Sequence, residues 1–247
     1  IARGLLATRS SSWLIVLSGF FEPVFYLLSL GIGLGALVGS VSTSTGQPVS
    51  YAAFIAPALL AVSAMNGAVF DSTWNVFFKM QYARLYEAML ATSLGPLDVA
   101  LGEIFLALLR GAVYATGFLI VMQVLGLNRS WTAILALPAV LLIAFGFASL
   151  GMAITSYMKT FQQMDWINFV MLPMFLFSAT FYPLSVYPQW LQWIIQALPL
   201  WQGVELIRGL TTGALSVGML WHVLYFAVLI VGGLIFTTRR LRSLFLD

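Results

Sequence analysis

The chain has 247 residues, 61% of them hydrophobic and only 8% charged. A soluble domain carries roughly 25% charged residues, so a soluble globular fold is excluded and much of this apolar surface must face lipid. The net charge of +3 comes from a few basic residues scattered among apolar runs, which excludes a nucleic-acid partner. With no cysteine, disulfides, thiolate metal sites and thiol nucleophiles are excluded, and the single histidine, His222, cannot build a metal site alone.

Residues 1–20 are interrupted by Arg3, Arg9 and the run Ser10, Ser11, Ser12 between Leu5, Leu6, Trp13, Leu14 and Ile15. That mixture predicts an amphipathic helix lying in the headgroup layer. A first span follows Pro23, a residue suited to a helix's first turn, over residues 23–41. Gly31, Gly35 and Gly39 share a face on which another helix could approach. A second span is predicted over residues 52–70. The charged stretch that follows holds Lys79, Arg84, Glu87 and Asp98, and within it residues 80–93 read as a short helix ahead of the breaker pair Gly95, Pro96.

The remaining spans are predicted at 103–125, 132–157, 166–182 and 220–237, which makes six. Glu103 and Arg110 lie seven apart on one face of the third, placed to pair with each other or with a neighbouring helix. Asp165 opens the fifth, where its carboxylate is expected to cap the helix. Residues 183–218 are too long for a tight loop and too apolar for a solvated one. Within them Gln189, Gln192 and Gln196 share one helical face, as do Gln202, Glu205 and Arg208 after Pro199. Each short helix has only about 11 residues, too few to cross the bilayer, so the pair predicts a re-entrant hairpin. With both termini inside, the inner side holds Arg3, Arg9, Lys79, Arg84, Lys159, Arg239, Arg240 and Arg242, and the outer side only Arg129 and Arg208. That bias orients the chain with both termini in the cytoplasm. The expected class is therefore an all-α integral membrane protein, one transmembrane domain over residues 1–247.

Several segments together carry a family resemblance. They are Glu22-Pro23 at the first span, Tyr86-Glu87-Ala88-Met89-Leu90-Ala91-Thr92, and Gly102-Glu103 at the third span. The series closes with Phe175-Leu176-Phe177-Ser178-Ala179-Thr180-Phe181-Tyr182-Pro183-Leu184 and Leu198-Pro199-Leu200. In this order they resemble the permease subunit of type-2 ABC exporters, nearest the nodulation lipooligosaccharide and daunorubicin-type drug exporters. Two departures stand out: Ala179 where the family typically has glycine, and Ser93-Leu94-Gly95-Pro96-Leu97 where it often has Thr-Pro-Leu.

The resemblance implies export of an amphipathic substrate (lipid, glycolipid or hydrophobic drug) across a bacterial plasma membrane. It implies a homodimer of permeases and two copies of a separate ATPase subunit that holds ATP and Mg, with no cofactor in this chain. It makes residues 80–93 the coupling helix, with Lys79, Tyr82, Arg84, Tyr86, Glu87 and Met89 as contacts to the ATPase. Phe25, Tyr26, Phe169, Phe175, Phe177 and Phe181 become candidate lining of the path, where rings suit amphipathic cargo. The hairpin at 183–218 becomes an outer gate carrying Gln189, Gln192, Gln196, Glu205 and Arg208. The chain has no phosphate-binding loop, since Lys79 and Lys159 both lack a glycine-rich run before them. A polysaccharide-exporting permease is an alternative within this class. A membrane-embedded enzyme would need clustered nucleophiles, carboxylates or metal ligands at membrane depth. An ion-coupled carrier would show internal repeats and ionisable groups on broken mid-membrane helices.

Overall fold

The computed structural model describes residues 21, 23–42, 48–128 and 130–245; the expected interfacial helix at 1–20 lies outside them. The described chain is almost entirely helical. In order it contains α1 (Pro23–Val38), a hairpin of β1 (Ser40–Ser42) and β2 (Pro48–Ser50), α2 (Tyr51–Tyr82), α3 (Leu85–Leu90) and α4 (Pro96–Val124). It continues through α5 (Trp131–Thr155), α6 (Asp165–Phe177), α7 (Gln189–Ala197), α8 (Pro199–Thr212) and α9 (Gly218–Phe245). Among the described residues, four helices are long and apolar enough to cross a membrane: α2, α4, α5 and α9. The chain is an all-α integral membrane protein.

α2 is the central helix. It starts where the Ser50 hydroxyl accepts a hydrogen bond from Ala53 N at 3.3 Å, an N-cap. Six of its alanines, Ala53, Ala56, Ala58, Ala61, Ala64 and Ala68, are buried. They let α4, α5 and α8 pack closely around it, which is how helices associate where lipid gives no hydrophobic drive. α2 does not end at Phe70 as the sequence suggests. It runs on through two π-helical turns, Asp71–Asn75 and Phe78–Tyr82, and breaks only at Arg84, whose φ is +45°. The expected coupling helix at 80–93 is therefore shorter, six residues from Leu85 to Leu90.

α4 likewise begins earlier than expected. Pro96 sits in its first turn, and the Asp98 carboxylate accepts from Gly95 N at 2.9 Å. α5 and α9 pack along one another, and two glycines set their separation. A Cβ at Gly146 would lie 2.6 Å from the Phe226 ring, and one at Gly233 would lie 2.6 to 2.8 Å from Ser149, including its backbone. The glycine stripe of α1 is used unevenly. Gly31 faces Ala52 of α2, whereas Gly39 ends the helix with φ +72°.

α6 is the largest departure from the reading of residues 166–182 as one span. It has 13 residues, about 20 Å at an α-helical rise. Residues 178–183 beyond it are irregular, yet Ser178, Ala179 and Thr180 are buried, as backbone at membrane depth must be. The Ser178 hydroxyl bonds back to Met174 O. Ala179 holds φ +54°, a left-handed conformation that a Cβ disfavours by roughly 1–2 kcal/mol. Glycine has no Cβ and carries no such penalty. Ala179→Gly is expected to stabilise the fold by about 0.5–1 kcal/mol after glycine's own entropic cost. Thermal melting in detergent would show this as a higher midpoint, and a lower midpoint would contradict it. Asp165 lies in the first turn of α6 but makes no side-chain cap there. The turn before it is held instead by Gln163, whose side chain accepts from Lys159 N at 2.7 Å.

Candidate functional site

A groove of about 830 Å³ lies between α1 and α6, with α2 and α4 as its wall. Pro23 and Tyr26 line it from α1. Asn168, Met171, Leu172 and Phe175 line it from α6. The wall is apolar at Leu59 and Val62 and polar at Ser63, Asn66, Asp71, Arg110 and Tyr114. Arg110 Nη1 donates to Asp71 Oδ1 at 2.7 Å, with the carboxylate side chain 9% exposed and the guanidinium side chain 28% exposed. Two turns along the same helices, Lys79 Nζ lies 2.6 Å from Glu103 Oε2. The two pairs have opposite polarity: α2 supplies the anion of one and the cation of the other.

Of the expected path residues, Tyr26 and Phe175 line the groove. Phe181 packs edge-on against Phe175 with ring centres 5.1 Å apart. Phe25 and Phe169 are exposed on the outer sides of α1 and α6, and Phe177 stands against Tyr187. The polar members Asp71, Asn66, Asn168 and Tyr114 were not anticipated as a site. The available signal was the charge order: Asp71 and Lys79 on one helix run opposite to Glu103 and Arg110 on an antiparallel one.

At the end of α2, Tyr82, Arg84 and Glu87 are exposed and Met89 is half-buried. Lys79 is not on the short helix at all; it belongs to α2 and is engaged by Glu103. Tyr86 is fully buried within this subunit, so its ring is not presented to a partner. Burial pushes its hydroxyl well above the ordinary tyrosine value. Around this end, Trp74, Phe78, Tyr82 and Phe161 form an aromatic cluster, and Arg240 of α9 stacks over Tyr157 at 4.7 Å.

α7 and α8 form the segment expected to gate the outer side. Gln189 is exposed, Gln192 donates to Tyr187 O at 2.7 Å, and Gln196 O accepts from Gln202 at 2.6 Å. The indoles of Trp190 and Trp193 are exposed on α7. Arg208 of α8 is 3% exposed. Its guanidinium reaches Glu205 at 2.5 Å, Ala179 O at 3.0 Å and Phe54 O at 3.4 Å, and lies 4.0 Å from the centre of the Phe54 ring. One buried arginine thus joins α8, α2 and the irregular segment after α6. His222 bonds through Nδ1 to Gln202 Oε1 and stands edge-on to Trp201, a satisfied position. No group of three or more His, Cys, Asp or Glu suited to a metal occurs among the described residues.

Residues 1–212 match the ABC-2 type transporter family. The chain is 34% identical over 242 residues to Nodulation protein J of Rhizobium leguminosarum bv. viciae, covering 97% of this chain and 91% of that protein. Nodulation protein J of Bradyrhizobium diazoefficiens is 34% identical over 226 residues, 88% of this chain and 84% of the relative. For Nodulation protein J of Rhizobium meliloti the identity is 30% over 222 residues, 90% and 83% of the two chains.

Proposed function

The chain belongs to the ABC-2 type transporter family as the membrane permease subunit of an ABC exporter, and from that premise we propose how it works. Two copies form a dimer in a bacterial plasma membrane, each bound on the cytoplasmic side by an ATPase subunit that holds ATP and Mg. α1, and α6 together with the irregular segment 178–183 that follows it, complete six spans with the four long helices, and both termini are cytoplasmic. The cargo is an amphipathic molecule, a lipid, glycolipid or hydrophobic drug.

The observation that carries this reading is the groove between α1 and α6. Phe25, Ile32 and Leu37 on α1, with Trp166, Phe169 and Leu172 on α6, are exposed apolar side chains on either side of it. Isolated apolar residues are ordinary, but two flanking helices exposed this way suit lipid, a second protomer or an apolar cargo tail. The polar handles for the ATPase are Tyr82, Arg84 and Glu87 beside α3, with Met89 and Lys79 supporting that surface. α7 and α8 close the outer end, Trp190 and Trp193 sitting at the lipid interface as amphipathic rings do. ATP binding moves α3, and α2, continuous from Tyr51 to Tyr82, carries the movement to the groove.

Because the chain has no cysteine, a single introduced thiol can be labelled cleanly in the isolated permease before the ATPase subunit is added. Met171→Cys, labelled with a bulky maleimide before reconstitution with the ATPase subunit, is expected to abolish cargo-stimulated ATP hydrolysis while the ATPase subunit still co-purifies. Full stimulation after complete labelling would overturn the groove as the path.

A further inference from the structure

The geometry points to the Asp71–Arg110 pair as the element that sets which head charge the groove accepts. This rests on the groove being the cargo path. The pair lines the same groove as the amides of Asn66 and Asn168, while Leu59, Val62, Met171 and Leu172 supply an apolar trough. An amphiphile fits with its tail along the trough and its head at the pair. Both members line the groove, with Arg110 28% exposed and Asp71 9% exposed.

Packing does not require the pair. Around it α2 and α4 meet through small residues, Ala64, Ala68, Ala107 and Ala115, which suit close helix contact without charge. Register between the two helices is already specified by Lys79 and Glu103, two turns away. A buried ion pair is commonly replaceable by apolar residues without loss of stability, so a second pair at membrane depth marks a function. The local backbone adds to this. α2 opens into a π turn at Asp71–Asn75, with the Ser72 and Thr73 hydroxyls donating to Val69 O at 3.3 and 2.6 Å. Such turns gather at functional sites.

The pair sums to zero charge and presents guanidinium donors beside a carboxylate acceptor. It therefore reads hydrogen-bonding groups on an uncharged head and disfavours a net charge of either sign. Removing one member should leave the other to select a counter-charge, and the two single variants should shift selectivity in opposite directions.

The test uses the full permease with its ATPase in nanodiscs and three twelve-carbon amphiphiles below their micellar concentrations: dodecyl maltoside, dodecyl trimethylammonium and dodecyl phosphate. The readout is the half-maximal concentration for stimulating ATP hydrolysis. The native protein should respond best to the maltoside. Arg110→Gln should shift preference at least tenfold toward the ammonium head, and Asp71→Asn at least tenfold toward the phosphate. The double variant Asp71→Asn, Arg110→Gln keeps shape and neutrality and guards against misfolding of a single variant; the opposite shifts should cancel and the maltoside should again be preferred. Equal shifts for all three probes, or a double variant that keeps either single variant's preference for a charged head, would overturn the assignment. If Met171 labelling blocks stimulation while these selectivities stay fixed, the path stands and the role of the pair falls. If labelling has no effect, the path itself falls.

Discussion

Arg208→Leu is expected to cost on the order of 3–5 kcal/mol, the range for breaking a buried charged contact. The side chain is 3% exposed and its Nη2 donates to Ala179 O at 3.0 Å and to Phe54 O at 3.4 Å. Leucine fills part of the volume but leaves both carbonyls without this donor, and unsatisfied backbone groups are expensive where no water can replace the bond. The guanidinium also lies over the Phe54 ring, a contact leucine cannot reproduce. Arg208→Lys should recover only part of the loss, because one ammonium does not match a planar fork with several donors. The measurement is thermal unfolding in detergent, paired with thiol labelling of Thr180→Cys, a position buried at 0% exposure. A lower midpoint and faster labelling are expected in the leucine variant. An unchanged midpoint would show that the arginine holds nothing together.

Gly233→Val is expected to cost about 3 kcal/mol, the upper part of the range for forcing extra atoms into a packed contact. A Cβ there would lie 2.6 Å from Ser149 Cβ and 2.7 and 2.8 Å from the Ser149 backbone carbon and oxygen. Backbone inside a helix cannot step aside, so α5 and α9 must separate along their shared seam. Gly146→Ala provides the internal control. Its Cβ would meet Phe226 Cδ1 at 2.6 Å, but that ring belongs to a side chain and can turn, so a smaller loss of about 1 kcal/mol is expected. Melting midpoints of the two variants would test the order directly. A Gly146 variant less stable than the Gly233 variant would contradict it.

The parts legible from sequence and the parts that were not divide on a physical line. The cost of placing a residue in lipid belongs to that residue, so apolar runs marked α2, α4, α5 and α9 without knowledge of their neighbours. Pro96 and Pro199 at helix starts are local as well. Helix ends were harder. α2 passes Phe70, and past it Asp71 meets Arg110 39 positions away and Lys79 meets Glu103 24 positions away; read alone, those charges signal the end of a span. α6 stops at Phe177 while the apolar run continues, because the next residues are held in irregular form by Arg208 from another helix.

Composition, hydropathy and short motifs are properties of consecutive residues, and they suffice to read the class of protein, its membrane residence and the order of its pieces. That Tyr86 points inward, that Arg208 is a buried tie, and that Asp71, Asn66, Asn168 and Arg110 from three helices border one groove emerge from the packed fold. Each of these depends on the register and rotation of helices distant in sequence, quantities set by packing between elements and absent from the pattern within any one of them.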